Sequence, residues 1–195
     1  RGTTDLRDSR LRRLVRRRER RALSDHPPAW PGVGRAVVMG VAGSGKSSVG
    51  AALAQRAGAT YVDGDTLHSP DNLRKMSAGI PLGDDDRNPW LVKVAETLRA
   101  ATGPTLVGCS ALKRRYRDLI RERVGGDVLF IHLTGPRDVI AGYMRARTGH
   151  FMPPSLLDSQ YAALEPLQQD ELGFAVSVAQ PLDAVVAEAK RKLDQ

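Results

Sequence analysis

The stretch Gly40-Val41-Ala42-Gly43-Ser44-Gly45-Lys46-Ser47 fits the pattern G-x-x-x-x-G-K-[ST], and its positions have distinct chemical tasks. Glycines let the backbone turn tightly enough for successive N–H groups to converge on an anion, helped by a following helix N-terminus. Lys46 is long enough to reach the β- and γ-phosphates of a nucleotide, and the Ser47 hydroxyl suits Mg2+. The bland alternative is a Gly-rich turn with a chance Lys-Ser. Context argues against it: Arg35–Met39 reads as a short buried strand, and Ser48 opens a helix through Arg56. A second chemical stretch is Asp63-Gly64-Asp65-Thr66-Leu67-His68, which follows the short strand Thr60–Val62. In parallel sheets ligands sit outside the carboxyl ends of the strands. Asp63 suits Mg2+ or its water, and Asp65 suits the proton of an attacking hydroxyl. The competing explanation is a polar turn with helix-capping aspartates.

Further along, Asp84-Asp85-Asp86-Arg87-Asn88-Pro89-Trp90 leads into a helix expected from Pro89 to Ala101. The three acids suit a helix N-terminus for dipole reasons alone. Arg87 is the sharper candidate, because a guanidinium fork grips a carboxylate with two hydrogen bonds. Arg74 and Lys75, on a helix opened by Ser69-Pro70, face either a substrate or solvent. The strand Pro104–Ser110 ends without an acid, so an acid for Mg2+ must come from elsewhere, and Asp63 is available. Cys109 in that strand reads as core. Arg145, Arg147 and His150 precede Phe151-Met152-Pro153-Pro154, a cationic stretch able to fold over phosphates as a lid. A basic helix end is the plainer view of the same residues.

These residues need a scaffold, and the pattern supplies one. Apolar strands at 35–39, 60–62, 104–110, 127–133 and 173–178 alternate with helical segments. Such alternation predicts an α/β fold with a parallel sheet covered on both faces. The closing helix, Pro181–Leu193, puts Leu182, Val185, Val186, Ala189 and Leu193 on one side. A length of 195 residues suits one domain, expected here at 35–195 with a lid near 147–166.

The net charge of +8 suggests nucleic acid until its distribution is considered. Residues 1–25 hold ten arginines and four acids, a balance of +6, so the remaining 170 residues carry only +2. Residues 1–34 are expected to be a basic, disordered arm. A solvated tail, an anion-binding arm and an upstream misassigned start all remain open for it. Nucleic-acid binding by this arm is not the expectation. No apolar run approaches the roughly 18 residues of a membrane span, so no membrane partner is expected. A lone cysteine excludes an intrachain disulfide framework and fits a reducing compartment, giving a cytoplasmic expectation.

Taken together, the motifs resemble the gluconate kinases, small relatives of the shikimate and nucleoside-monophosphate kinases. The resemblance covers about Arg35 to Leu193. Its more specific carriers are Asp84–Trp90, Cys109–Lys113 with Tyr116-Arg117-Asp118, and Arg147-Thr148-Gly149-His150-Phe151-Met152. Gln180-Pro181-Leu182 adds to them. It implies a P-loop three-layer fold with strand order 2-3-1-4-5 and transfer of phosphate from ATP to D-gluconate. Gly40, Gly43, Ser44, Gly45, Lys46, Ser47 and Ser48 would hold the nucleotide, with Mg2+ on Ser47 and Asp63. Asp63 or Asp65 would orient or deprotonate the acceptor hydroxyl. Arg87 would bind gluconate, with His68, Lys75, Lys113 and His150 nearby, and Arg147 would close on the transferring phosphate. Arg117 and Gln180 resemble adenine-side positions. Such enzymes are often dimers, so a homodimer is the expected assembly. The rivals are another small-molecule kinase and a nucleotide switch. No N-K-x-D base-reading motif supports a GTPase, and Asp170-Glu171-Leu172-Gly173 has no apolar strand before it.

Overall fold

A computed structural model describes residues 34–146 and 154–195. The expected arm, and the lid residues that include Arg147 and His150, lie outside the described residues. Five strands carry the fold: β1 (Arg35–Met39), β2 (Thr60–Asp63), β3 (Thr105–Gly108), β4 (Leu129–Thr134) and β5 (Gly173–Ser177). All pairs are parallel, in the order β2-β3-β1-β4-β5, as the family resemblance implied. The described helices are α1 (Lys46–Ala57), α2 (Pro70–Ser77), α3 (Asp84–Ala100), α4 (Arg114–Val124), α5 (Arg137–Ala146), α6 (Pro154–Ala163) and α7 (Leu182–Leu193).

Strand alternation sorts the core into two layers. Val37, Met39, Val107 and Phe130 point to one face, where α3 and α4 cover them with Leu91, Val94, Leu98 and Ile120. Ala36, Val38, Leu106, Ile131 and Leu133 point to the other, under α1 and α7 with Leu53, Val185, Val186 and Leu193. Being covered on both sides explains why β1 reads as a continuous apolar run rather than an alternating one. Each fully buried large side chain contributes roughly 1.5–3 kcal/mol, so two such layers hold the sheet rigid beneath its loops. Leu182, expected on the buried side of α7, is instead 48% exposed, because it stands at the helix's first residue.

Helix α3 differs from expectation. It begins at Asp84, not Pro89. The Asp86 carboxylate accepts the Gly83 N–H at 3.1 Å, and Arg87 N–H donates to the Gly83 carbonyl at 3.1 Å. An acid that ties back to the residue before the helix nucleates the first turn. Pro89 then falls inside the helix, where its missing N–H leaves one carbonyl of the first turn without its usual partner. The shift turns all three acids and Arg87 into helical residues with fixed directions.

Candidate active site

The carboxyl ends of β1, β2 and β3 open into one cleft of about 480 Å3. Ala42, Gly43, Gly45, Lys46 and Ser47 line it from β1, Asp63, Asp65 and His68 from β2, and Gly108 and Ser110 from β3. Arg87 and Trp90 close the far side. The cleft lies where the strand order reverses about β1, the general ligand position in such sheets.

Two glycines of the loop are dictated by geometry. Gly40 has φ 145° and Gly43 φ 78°. A Cβ on Gly40 would stand 2.7 Å from the Leu133 carbonyl oxygen, and one on Gly43 would stand 2.3 Å from Met144 Cγ. Both positions therefore require glycine. Gly40 N–H donates to the Ser110 carbonyl at 3.3 Å, joining this loop to the one after β3. Lys46 Nζ donates to the carbonyls of Gly40 at 3.2 Å and Val41 at 3.0 Å, folded over its own loop. Ser44 is buried, whereas Ser47 and Ser48 are exposed at the start of α1.

At the end of β2 the two aspartates have different surroundings. Asp63 Oδ2 accepts the Ser47 hydroxyl at 2.8 Å, and its Oδ1 accepts the Asp65 N–H at 3.1 Å, capping the 3-10 turn Gly64–Leu67. One Asp63 oxygen thus meets the phosphate-loop helix and the other its own turn. The exposed Asp65 lines the cleft one turn further on. Trp90 Nε1–H donates to the Gly64 carbonyl at 2.7 Å and pins this turn to α3. Trp90 also stacks on His68, with ring centroids 4.2 Å apart. Burial, opposed by Asp65 and reinforced by Arg87, lowers the His68 pKa, so its imidazole is neutral near pH 7.

Two lysines are held by the acids of α3. Lys75 Nζ donates to Asp86 Oδ1 at 2.6 Å, and this contact, with the Gly83 N–H, holds the Asp86 carboxyl below its usual range. Lys113 lies 3.7 Å from Asp84, which also accepts hydrogen bonds from the Tyr116 hydroxyl and Arg115. Arg87 Nε donates to the Leu82 carbonyl at 3.3 Å, and its guanidinium lies 6.0 Å from the Tyr116 ring centre. Lys75 and Lys113 do not line the cleft.

Arg117 and Gln180 stand elsewhere. Arg117 is fully buried, and its guanidinium grips Glu171 through two 2.7 Å bonds. It also donates to the carbonyls of Ala111, Leu112 and Glu165. Ala111 has φ 42°, a strained value for a residue with a side chain. Arg117 thus clamps the loop that carries Ser110, rather than lining the cleft. Gln180 donates to the Ser177 carbonyl and to Glu188, both at 2.9 Å, beyond β5. Sequence reasoning missed Glu171 and Gln160. Glu171 carried no signal beyond its D-x-x-G surroundings, and Gln160 carried none at all.

A phosphate-cradling loop, a hydroxyl–carboxylate pair beside it and a polar acceptor wall define a P-loop kinase of small molecules. No family model matches the chain. It is 42% identical over 176 residues to a probable gluconokinase of Mus musculus, covering 80% of this chain and 95% of that one. The chain belongs to the gluconokinase family. The thermoresistant gluconokinase of Escherichia coli (strain K12) is 43% identical over 155 residues, covering 77% and 88% of the two chains. A solved gluconokinase structure from Sinorhizobium meliloti 1021 is 52% identical with a TM-score of 0.77, covering 82% of this chain and 91% of that one.

Proposed function

We infer that this chain is a gluconokinase, transferring the γ-phosphate of ATP to D-gluconate to give 6-phospho-D-gluconate and ADP. The observation that carries the inference is one cleft joining the phosphate loop to Asp65 and Arg87, in a chain of this family. Loop amides and Lys46 hold the phosphates and offset the charge that spreads over the transferring group. Mg2+ fits the residues present: Ser47 and Asp63 offer hard oxygen donors 2.8 Å apart, and this ion takes few protein ligands and keeps its waters. Bound there, it neutralises phosphate charge.

The same hydrogen bonds support a division of work between the two aspartates. Asp63 is committed to Ser47 and to its own turn, which leaves Asp65 as the base. Asp65 takes the proton of the 6-hydroxyl as the O6–P bond forms and the bond from Pγ to the β,γ-bridging oxygen breaks, releasing ADP. Arg87 grips the gluconate carboxylate as a fork. Neutral His68 positions a hydroxyl, and Lys75 and Lys113 add positive charge around the acceptor. Arg147 and His150 keep their proposed lid roles, Arg147 on the transferring phosphate and His150 on the acceptor. Gln180 keeps its adenine-side proposal, and Arg117 is reassigned to holding the Ser110 loop. A cytoplasmic homodimer completes the proposal by family likeness.

The test is ADP release with ATP and Mg2+ against D-gluconate, shikimate and nucleoside monophosphates. Release that depends on gluconate alone is expected. Release with another acceptor would keep the phosphate site and overturn the substrate.

A further inference from the structure

One contact inside the cleft ties the phosphate loop to a helix 118 residues away in sequence: the Gln160 side-chain oxygen accepts the Ala42 N–H at 2.6 Å. Gln160 stands on α6 and lines the cleft. Its helix is fastened on several sides. Leu157 is buried, Arg137 Nε donates to Asp158 at 2.5 Å, and the Tyr161 hydroxyl donates to the Gly135 carbonyl at 3.0 Å. The carboxamide is therefore aimed at the loop by its surroundings and is not a solvated surface group. It meets a backbone donor of the very loop whose N–H groups serve to bind phosphate.

We propose that Gln160 binds the terminal phosphate of ATP and lets the site distinguish ATP from ADP. The proposal rests on ATP being the phosphoryl donor. An oxygen that accepts from the Ala42 N–H must stand where the Gln160 oxygen now stands. A phosphate oxygen is charged and accepts more strongly than a neutral amide oxygen, so it takes over that donor. The displaced carboxamide also carries two N–H donors. A change of side-chain rotamer withdraws the carboxamide from that position, and rotation about its last bond turns one of these N–H donors toward the incoming oxygen. Gln160 thus holds the loop donor when the terminal phosphate is absent and donates to that phosphate when it is present. Glutamate can only accept and carries a negative charge, and leucine can do neither.

The experiment titrates the wild-type chain, Gln160→Glu and Gln160→Leu by calorimetry with ADP and with the β,γ-imido analogue of ATP. Mg2+ is present and no acceptor is added. The ratio of analogue affinity to ADP affinity is expected to fall about tenfold or more in Gln160→Glu. In Gln160→Leu the same ratio is expected to fall, and kcat on gluconate to drop about tenfold. Melting temperatures establish that both variants fold, and the near-isosteric glutamate variant keeps the test open if the leucine variant does not. Equal shifts for both nucleotides, or none, would overturn the proposal and reduce Gln160 to a packing contact of α6. A wild-type chain that binds neither nucleotide would overturn the ATP assignment along with it, whereas ATP binding without gluconate turnover would overturn only the acceptor.

Discussion

The two ends of the cleft are built by different physics. The phosphate end is one contiguous stretch, Gly40 to Ser48, and its recognition groups are mostly backbone amides held by glycine conformations and by the start of α1. The end proposed for the acceptor is assembled from the turn after β2, from α2 and α3, and from the start of α4. Its side chains are held against one another in ion pairs. Lys75 and Asp86 are 43% and 22% exposed, and Lys113 and Asp84 are 29% and 42% exposed. Ion pairs that wet are worth about 0–1 kcal/mol, so a ligand carboxylate or hydroxyl can enter them at little cost. On the proposed roles, the phosphate end is preformed and generic, and the acceptor end is exchangeable and specific. A family can keep the first and change substrate through the second.

Breaking the phosphate end has the largest expected effect. Lys46→Ala should cut turnover about thousandfold or more while the far-ultraviolet circular dichroism stays that of the folded chain. The boundary between the two ends comes next, at the aspartates. Asp65→Asn should lower kcat about hundredfold or more with the Mg2+ requirement unchanged. Asp63→Asn should instead raise the Mg2+ concentration needed for half-maximal rate. A reversed pattern in a Mg2+ titration would exchange the two roles. On the acceptor wall, Arg87→Ala should raise the KM for gluconate about tenfold to a hundredfold and leave the KM for ATP near the wild-type value. A selective loss of ATP affinity would move Arg87 to the phosphate side.

The smallest expected effect belongs to the sheet beneath both ends. His132 on β4 is buried with its Nε2 atom unpartnered, and burial, aided by Arg117, lowers its pKa from 6.5 to about 4. The unfolded chain therefore takes up a proton before the folded one does. Stability should fall as pH drops from 6.5 toward about 4, by about 1 kcal/mol per pH unit from this residue, and be insensitive to it above that window. Urea unfolding of His132→Gln across the same range should show a flatter slope.

How much was legible in the sequence follows the same division. The phosphate loop was readable because its function is written in eight adjacent residues with a strand before and a helix after. Strand order came from the family resemblance, since alternation alone fixes a parallel sheet without its order. The start of α3 was misplaced because Pro89 looks like a first-turn proline, whereas the Asp86 link to Gly83 starts the helix five residues earlier. Spacing left Asp63 and Asp65 open, and the contact that favours Asp65 as the proposed base, Asp63 with the Ser47 hydroxyl, spans 16 residues. Arg117 was placed on the adenine side by family resemblance alone, since one letter does not tell a buried, paired arginine from one that meets a ligand. Its buried partner, Glu171, stands 54 residues on and leaves no local trace. Gln160 reaches Ala42 through the fold alone and leaves no local trace.

The most direct measurement is phosphorus nuclear magnetic resonance of the products formed from ATP, Mg2+ and D-gluconate. A single new phosphomonoester on the terminal hydroxyl, formed in equal amount with ADP, is expected. ADP accompanied by inorganic phosphate, or a phosphate on any other hydroxyl, would contradict the placement of Asp65 and Arg87 around the acceptor.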